Sequence, residues 1–408
     1  MIKRLRELIY SIQGKLAYHS SLLLGWMLLR TSTQVATIIL LTNILGVVGY
    51  GKIVSILAVT AFLVPFIGLG LSNIMLRNGA KDPENLPAYF RRALFWWAVT
   101  LFPVTLLSII LFEILLPDGL PRFAVYAVII VELWVTSLTE LCARYRQAAH
   151  KISSYGAIIA GLPIIRLLSL CVLLIFQMNT VEFVLWLYVV SGLVYLLMLS
   201  RLLRLNLDTS IKKHETMPVM SGMPLSLSAF TMRLQGEFNK PILAQSGFEL
   251  AGSYNAAQRA IDLTALPLQA IQESLWPFMY AHANPRQIFR MAAFLLSIVA
   301  IIGAVSIWFA APLIPIILGH DFDDAINIAR YLVLLPLLQS FRALANFQVI
   351  QRNLMKLIGW SCAAGALVGV IGVSFLVPRH GVLGAVISAY LSEVVMVGWL
   401  LLGMKTYK

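Results

Sequence analysis

The sequence predicts an all-α integral membrane protein. Of its 408 residues, 60% are hydrophobic and only 12% are charged, whereas about a quarter of the residues are charged in a water-soluble chain. The mean hydropathy is +0.85. Apolar runs of roughly 20 residues, each long enough to span about 30 Å of hydrocarbon, recur from Ser20 almost to the C-terminus. These runs predict a polytopic membrane protein with about twelve transmembrane helices.

Hydropathy places the twelve helices along the chain. The first follows a basic N-terminal segment; it is too long for the core of a signal peptide and has no small-residue cleavage site, so we expect it to stay attached. The predicted spans are 20–45, 52–76, 89–113, 121–143, 155–176, 182–203, 222–246, 254–281, 288–317, 325–350, 356–378 and 381–404.

The distribution of Lys and Arg between the loops predicts the orientation. The inner segments hold 21 of the 31 basic residues, and the outer loops hold only Lys52, Arg122 and Arg379. Basic residues next to spans are retained in the cytoplasm, so both termini are predicted to be cytoplasmic. The net charge of +13 then reflects topology and attraction to anionic membrane lipids. Because the basic residues are spread over seven inner segments, we expect no nucleic-acid partner.

The two halves of the sequence repeat each other. A shift of 203 residues places Arg30 on Arg233 and Gly49 on Gly252. With an even number of spans in each half, the repeats are parallel and related by an axis along the membrane normal, as in alternating-access transporters. The predicted bounds are 1–205 for an N-terminal six-helix lobe, 206–221 for a cytoplasmic linker, and 222–408 for a C-terminal six-helix lobe.

Polar and charged side chains inside the spans are the candidate functional residues. Arg233, Glu237 and Lys240 stand at positions i, i+4 and i+7, on one face of the seventh span. The repeat places Arg30 and Gln34 at matching positions of the first span. A charge at mid-bilayer costs roughly 2.5–3.5 kcal/mol on insertion scales, so such residues normally face a bundle interior or a water-filled cavity.

The eighth span continues this pattern with Arg259, Asp262 and Gln269. Embedded acidic and basic residues balance in number, so ion pairs that only fix the packing are the alternative interpretation of each charge. Glu393 stands alone at mid-depth in the last span, where it is expected to be buried without a cation.

Four short runs carry a resemblance to a known family. They are "LGVVGYG" (45–51), "AGSYNAAQRA" (251–260), "LGHDFDDA" (318–325) and "PRHGVLGAVISA" (378–389). In this order, the runs resemble the polysaccharide-transporter or oligosaccharide flippase family, whose superfamily also contains the multidrug and toxin extrusion transporters and the lipid II flippases. The likeness extends over essentially the whole chain.

This resemblance implies a V-shaped pair of six-helix bundles, related by a pseudo-two-fold axis, around a central cavity. It also implies movement of undecaprenyl-pyrophosphate-linked sugar units, such as O-antigen repeat units of lipopolysaccharide, across the bacterial inner membrane. Arginine suits such a head group because its planar donors engage phosphate oxygens bidentately and keep their charge when desolvated. The expected substrate-binding residues are Arg30, Arg233, Arg259, Lys240, Gln34 and Gln269.

Ion coupling requires a group that binds a cation or a proton. Glu237 and Asp262 each have a basic neighbour on the same helix, so that a substrate phosphate competes with the carboxylate for one base, and Glu393 is an alternative. The energy source is expected to be a proton or a sodium gradient, and the residues favour neither. We expect no catalytic residues, no other cofactor and no metal site, because no phosphate-cradling loop, zinc-spaced cluster or nucleophile triad occurs. Other proteins of the polysaccharide assembly pathway are further expected partners.

Two other functions compete with this interpretation. A multidrug antiporter shares the implied fold, but organic cations favour an acidic, aromatic-lined cavity, whereas the repeated feature here is arginine. A membrane sugar polymerase or ligase would be an enzyme, but such enzymes need sizeable outer loops, and every predicted outer loop is short. The outer run "HDFDD" (320–324) is better explained as a solvated turn than as a metal-assisted transferase site.

Overall fold

The chain is all-α in the computed structural model, which describes residues 2–176, 179–204, 219–281, 285–352 and 354–406. Helices and short turns make up these ranges, which contain no β-strand. The predicted fold class is therefore confirmed. The helices are α1 Ile2–Leu63, α2 Leu71–Lys81, α3 Leu86–Leu115, α4 Arg122–Ala148, α5 Ile152–Phe176, α6 Val181–Arg204, α7 Met223–Glu237, α8 Asn239–Ser246, α9 Phe248–Ala281, α10 Pro285–Ala310, α11 Leu313–Leu318, α12 Asp323–Leu332, α13 Leu335–Gln351, α14 Met355–His380 and α15 Val382–Thr406.

The first two predicted spans are joined without a loop. Gly46 leaves the helical region, with φ 64° and ψ −176°, and α1 resumes directly after it. A single residue in this conformation kinks the helix, and glycine adopts it at no steric cost. The chain breaks later, at a 3-10 turn of Val64–Phe66 that contains Pro65, and both Gly68 and Gly70 have positive φ. The second predicted span, 52–76, is thus divided between the end of α1 and the start of α2.

Eight described helical segments are long and apolar enough to cross a membrane, and the bent pair α12 and α13 makes a ninth. One of the eight, Gly25–Phe66, contains most of the first predicted span and the first part of the second. The seventh predicted span is divided at Phe238 into α7 and α8, each short. The eighth corresponds to α9, which is long but carries charged and amide side chains. The departures from twelve uninterrupted spans therefore fall where kinks or polar residues interrupt an apolar helix.

The helices form two compact units. Unit 1 comprises Met1–Leu41, Leu63–Ile109 and Pro121–Leu227, and unit 2 comprises Thr42–Phe62, Ile110–Leu120 and Ser228–Lys408. The predicted linker, 206–221, lies mostly outside the described residues, and the predicted lobe boundaries stay a prediction.

Each unit has its own apolar core. In unit 1, side chains from α3, α4 and α6 meet around Phe90, Leu141 and Tyr195. In unit 2, α9, α10 and α13 contribute Leu268, Leu296 and Phe347 to one buried cluster. Burial of such residues positions the polar helix faces, because a helix whose apolar stripe is fixed in a core has its remaining faces fixed as well.

Candidate functional site

A helix break between α7 and α8 positions the first charged pair of unit 2. Phe238 separates the two helices, with Glu237 as the last residue of α7 and Lys240 as the second residue of α8. The Lys240 ammonium lies 2.5 Å from Glu237 Oε2, and its side chain is only 2% exposed. Lysine is almost never fully buried unless it is paired, so Glu237 explains how Lys240 is accommodated.

α9 carries a second pair, and this one is open. Arg259 Nη1 lies 3.4 Å from Asp262 Oδ2, with side chains that are 50% and 52% exposed. Both residues lie within electrostatic range of Lys240. We call Glu237, Lys240, Arg259 and Asp262 the α7–α9 charge cluster. Its two acids and two bases give a formal charge of zero, so the cluster can rearrange its pairs without creating net charge.

Arg233 is bound to the broken end of α1. Its Nη1 atom donates a hydrogen bond to the Ala61 carbonyl at 3.1 Å. In an uninterrupted helix, this carbonyl would accept from the backbone N–H four residues later. That residue is Pro65, which has no N–H. Arg233 therefore satisfies a carbonyl that the proline leaves without its helical donor.

Glu393 has a cation, contrary to the expectation from the sequence. Arg342 of α13 places its Nε atom 3.1 Å from Glu393 Oε2, and the Glu393 side chain is 2% exposed. Gln235 of α7 also donates to Glu393 Oε1 at 3.3 Å. The sequence missed this pair because the two residues lie on different helices, and no spacing in the chain links α13 to α15. Its role in ion coupling stays a prediction.

In unit 1, Arg30 and Gln34 lie one turn apart on α1, and both are exposed. The Arg30 carbonyl accepts a hydrogen bond from Thr33 Oγ1 at 2.8 Å, so the backbone here is held by an internal side-chain contact. The two residues share a helix face, as their spacing predicts. That this face shares a cavity with Arg233 stays a prediction.

A second charged group of unit 1 is buried among α4, α5 and α6. Arg166 forms an ion pair with Glu132, and its guanidinium lies 4.7 Å from the centre of the Tyr188 ring. Thr136 donates to the other carboxylate oxygen of Glu132 at 3.1 Å. Arg166 and Glu132 lie on different helices, so no spacing in the sequence predicts that they pair. The balance of embedded acids and bases was the one signal that such pairs exist.

One predicted residue cannot be placed. Gln269 belongs to α9, but it lies outside the residues whose side chains are described. The structure thus brings Glu237, Lys240, Arg259 and Asp262 together within unit 2, and it ties Arg233 to Ala61 in the same unit.

Comparison with known proteins identifies the family of the chain and solved structures with a similar fold. The profile of a family described as polysaccharide biosynthesis protein matches residues 20–281. No curated protein matches the chain.

Solved structures of MATE transporters have a similar fold. A multidrug resistance MATE family transporter of the MOP superfamily in its inward-facing conformation aligns with a TM-score of 0.71 and 15% identity, over 92% of this chain and 95% of its own. An outward-facing structure of such a transporter has a TM-score of 0.61 and 16% identity, over 95% of each chain. MATE in the straight conformation has a TM-score of 0.60 and 15% identity, over 96% of this chain and 95% of its own.

Proposed function

Because the chain belongs to the polysaccharide biosynthesis protein family and has the fold of MOP-superfamily transporters, we propose that it is a lipid-linked oligosaccharide flippase. The proposed substrate is an undecaprenyl-pyrophosphate-linked oligosaccharide, such as an O-antigen repeat unit. The chain moves it from the inner to the outer leaflet of the bacterial inner membrane by alternating access. Both termini are cytoplasmic in this proposal.

The half-exposed pair on α9 is the observation that carries the proposal. Arg259 and Asp262 lie about a third of the way along a 34-residue helix, which is long enough to cross the hydrocarbon of a bilayer. Charges at such a depth avoid lipid tails, because contact with hydrocarbon costs several kcal/mol. Their exposed surface therefore faces water or a polar ligand, as the head group of a lipid-linked sugar would require.

The chemistry of the exposed and partly exposed arginines suits a pyrophosphate. Arg30, Arg233 and Arg259 each present a guanidinium whose donors can take two phosphate oxygens at once. Lys240 adds a buried positive charge within electrostatic range of Arg259. The polyprenyl tail needs no site inside the protein, because it stays in the bilayer while the charged head is moved. Gln34 and Gln269 are proposed to bind sugar hydroxyls.

Ion coupling is proposed to act through Glu237 and Asp262, with Glu393 as the alternative. Each of the first two already pairs with a base of the α7–α9 charge cluster. A phosphate that binds Arg259 competes with Asp262, so substrate and coupling ion change each other's affinity. A ligand shifts a conformational equilibrium only through such a difference in affinity between states. The driving gradient is one of protons or of sodium ions.

The pairing of the acids argues against a multidrug antiporter. Glu132, Glu237, Asp262 and Glu393 each have an arginine or a lysine of the same chain within ion-pair distance. An organic cation would have to displace that internal base from its acid. An anionic head group likewise displaces Asp262 from Arg259, but the base that it then binds is an arginine, whose donors can take two phosphate oxygens at once. The family and the fold are those of transporters, and we propose that the chain is not a polymerase or a ligase.

Transport of a fluorescent lipid-linked oligosaccharide in proteoliposomes tests the proposal. Arg259→Gln and Arg30→Gln should each reduce transport about tenfold or more, because a hydrogen bond to a charged group contributes about 1.5–3 kcal/mol. Arg379→Gln is the matched control, since Arg379 is an exposed arginine at the end of α14. Unchanged transport in both test variants at normal protein level would refute the proposal that Arg30 and Arg259 bind the substrate phosphates. Efflux of organic cations without movement of the sugar lipid would favour the antiporter.

A further inference from the structure

The part of α7 that belongs to unit 2 is not anchored in an apolar core. From Ser228 to Glu237, Thr231 is the one buried residue of this described stretch, and none of its apolar side chains is buried. The next helix differs, because Ile242 and Leu243 of α8 are both buried. Apolar contact alone does not fix the rotation of a helix in a membrane, since lipid tails are as apolar as leucine. Polar contacts therefore decide which way the side chains of α7 point.

The polar contacts of α7 lie on two opposite sides of the helix. Arg233 and Glu237 are four residues apart and share one face, whereas Gln235 is rotated by about 200° from each of them. On the first face lie the contacts with α1 and α8. On the other side, Gln235 Nε2 donates a hydrogen bond to Glu393 Oε1 of α15 at 3.3 Å. α7 is thus held between the broken end of α1 and α15.

The acceptor of Gln235 is itself fixed in place. Arg342 Nε lies 3.1 Å from Glu393 Oε2, and the Glu393 side chain is 2% exposed. The same guanidinium places its Nη1 atom 3.7 Å from Met396 Sδ, about one turn further along α15. A buried, paired carboxylate does not move without breaking its ion pair, which is strongly unfavourable. Glu393 therefore offers Gln235 a stationary acceptor, and a hydrogen bond to a charged acceptor is stronger than one between neutral groups.

We propose that Gln235 is a positioning residue whose hydrogen bond to Glu393 fixes the rotation of α7. That rotation keeps Arg233 and Glu237 on the opposite side of the helix, directed at α1 and at Lys240. The inference rests on the proposed function for what these two residues do, since Arg233 is proposed to bind phosphate and Glu237 to couple the ion. In this role, Glu393 contributes to transport by holding Gln235 in place.

The position of α7 can be measured in the absence of substrate. Spin labels on Gly236→Cys and Gly359→Cys report the distance from α7 to α14, and a Cβ at either glycine meets no atom within 4 Å. α14 is bound to α15, because Ser361 donates a hydrogen bond to the Met396 carbonyl at 2.9 Å. The three native cysteines are replaced by alanine, and double electron–electron resonance measures the distance in the purified chain.

Gln235→Met tests the contact, because methionine has a similar length but cannot donate a hydrogen bond. We expect the single narrow distance of the parent chain to become broad and shifted in this variant. Gln245→Met is the matched control. Gln245 of α8 also donates a side-chain hydrogen bond, to the Leu115 carbonyl at 2.9 Å, but buried apolar side chains hold α8, so the distance should not change. An unchanged narrow distance in Gln235→Met overturns the inference.

An exchange of the two side chains identifies the partner of Gln235. Gln235→Glu alone places a second carboxylate against Glu393 and should broaden the distance, since like charges repel each other. The double variant Gln235→Glu/Glu393→Gln returns one amide and one carboxylate to the contact, with the same total charge, and should narrow the distance again. A double variant as broad as Gln235→Met contradicts the contact. If Gln235→Glu is not recovered folded, recovery of the double variant supports the contact, and loss of both leaves the distance in Gln235→Met to decide.

Transport measures the functional consequence of the contact. At low concentrations of the fluorescent sugar lipid, Gln235→Met should lower transport about tenfold or more, the factor that a hydrogen bond to a charged acceptor contributes. A saturating concentration should recover most of the native rate, because a less populated binding-competent state weakens the apparent affinity. The double variant with exchanged side chains should transport like the native chain.

A direct contact of Gln235 with the sugar predicts a different result. Gln235→Met would then lower transport without changing the spin-label distance, and the exchange with Glu393 would not restore transport; this result overturns the inference. A chain that moves no sugar lipid in any form refutes the flippase proposal, whereas the spin-label distances still decide the role of Gln235.

Discussion

Removing Arg342 should leave a deeply buried carboxylate of unit 2, that of Glu393, without its cation. Glu393 is 2% exposed and lies 3.1 Å from the Arg342 guanidinium. At that distance, an effective dielectric constant of about 20 gives an attraction of about 5 kcal/mol. Breaking a buried pair by removing one partner typically costs about 3–5 kcal/mol. We therefore expect Arg342→Met to lower the free energy of unfolding by about that amount at neutral pH.

Proton uptake limits this loss and makes it depend on pH. An ordinary glutamate at pH 7 takes up a proton at a cost of about 4 kcal/mol, and at pH 5 the cost is about 1 kcal/mol. Once Arg342 is gone, the Glu393 carboxyl can be buried neutral for that cost. The destabilisation by Arg342→Met should thus fall from about 4 kcal/mol to about 1 kcal/mol on acidification. Glu393→Gln leaves an arginine that cannot lose its charge, so its cost should not change with pH.

Unfolding in mixed micelles of a mild detergent and SDS, followed by tryptophan fluorescence at both pH values, measures these losses. The double variant Arg342→Met/Glu393→Gln should lose less unfolding free energy than the two single variants added together, because it leaves no buried charge unpaired. Arg379→Met removes an exposed arginine and should stay within about 0.5 kcal/mol of the native chain. Equal losses for Arg342→Met at both pH values, or additive losses in the double variant, would refute the reasoning.

Four further substitutions test the packing by the same unfolding measurement. Tyr50→Phe removes the hydroxyl that accepts a 2.5 Å hydrogen bond from buried Asn255, and it should cost about 1–3 kcal/mol; no loss would mean that the bond is replaced. Gly51→Ala would place a Cβ 1.8 Å from a carbonyl oxygen of α9 and should cost at least about 1–3 kcal/mol. Gly398→Ala meets no atom within 4 Å and should instead stabilise α15 by about 0.5–1 kcal/mol; equal effects at the two glycines would contradict the contact. Arg166→Met leaves the Glu132 carboxylate in α4 without its cation. It should lower the free energy of unfolding by about 3–5 kcal/mol at neutral pH and by less after acidification.

The membrane class could be predicted from sequence because lipid leaves the backbone few choices. A chain that crosses hydrocarbon must satisfy its own hydrogen bonds, so long apolar runs become helices. The kink at Gly46 was harder to place. The apolar pattern continues from Gly25 to Phe66, with Arg30 and Lys52 as its charged residues, so hydropathy does not show whether a glycine near Lys52 ends a helix or only bends it.

Pairs within one helical turn could also be predicted, whereas pairs between helices could not. Arg259 and Asp262 are three residues apart, so a continuous helix brings them together. Arg342 and Glu393 are brought together only by the packing of α13 against α15, which depends on the apolar faces of both helices. The contact of Arg233 with Ala61 likewise requires the end of α1 to pack beside α7.

Exposure ranks the embedded ion pairs by how easily they exchange partners during transport. A solvent-exposed ion pair contributes about 0–1 kcal/mol to stability, whereas removing one partner of a buried pair costs about 3–5 kcal/mol. The Arg259 pair is half exposed, so in the proposed function a pyrophosphate that offers two oxygens to the guanidinium would displace Asp262 at little cost. The Arg342 pair is buried, and no phosphate can reach it without separating α13 from α15. If transport works by exchange of charged partners, Arg259 is the arginine of unit 2 that releases its acid first, and Arg342 holds its acid throughout the cycle.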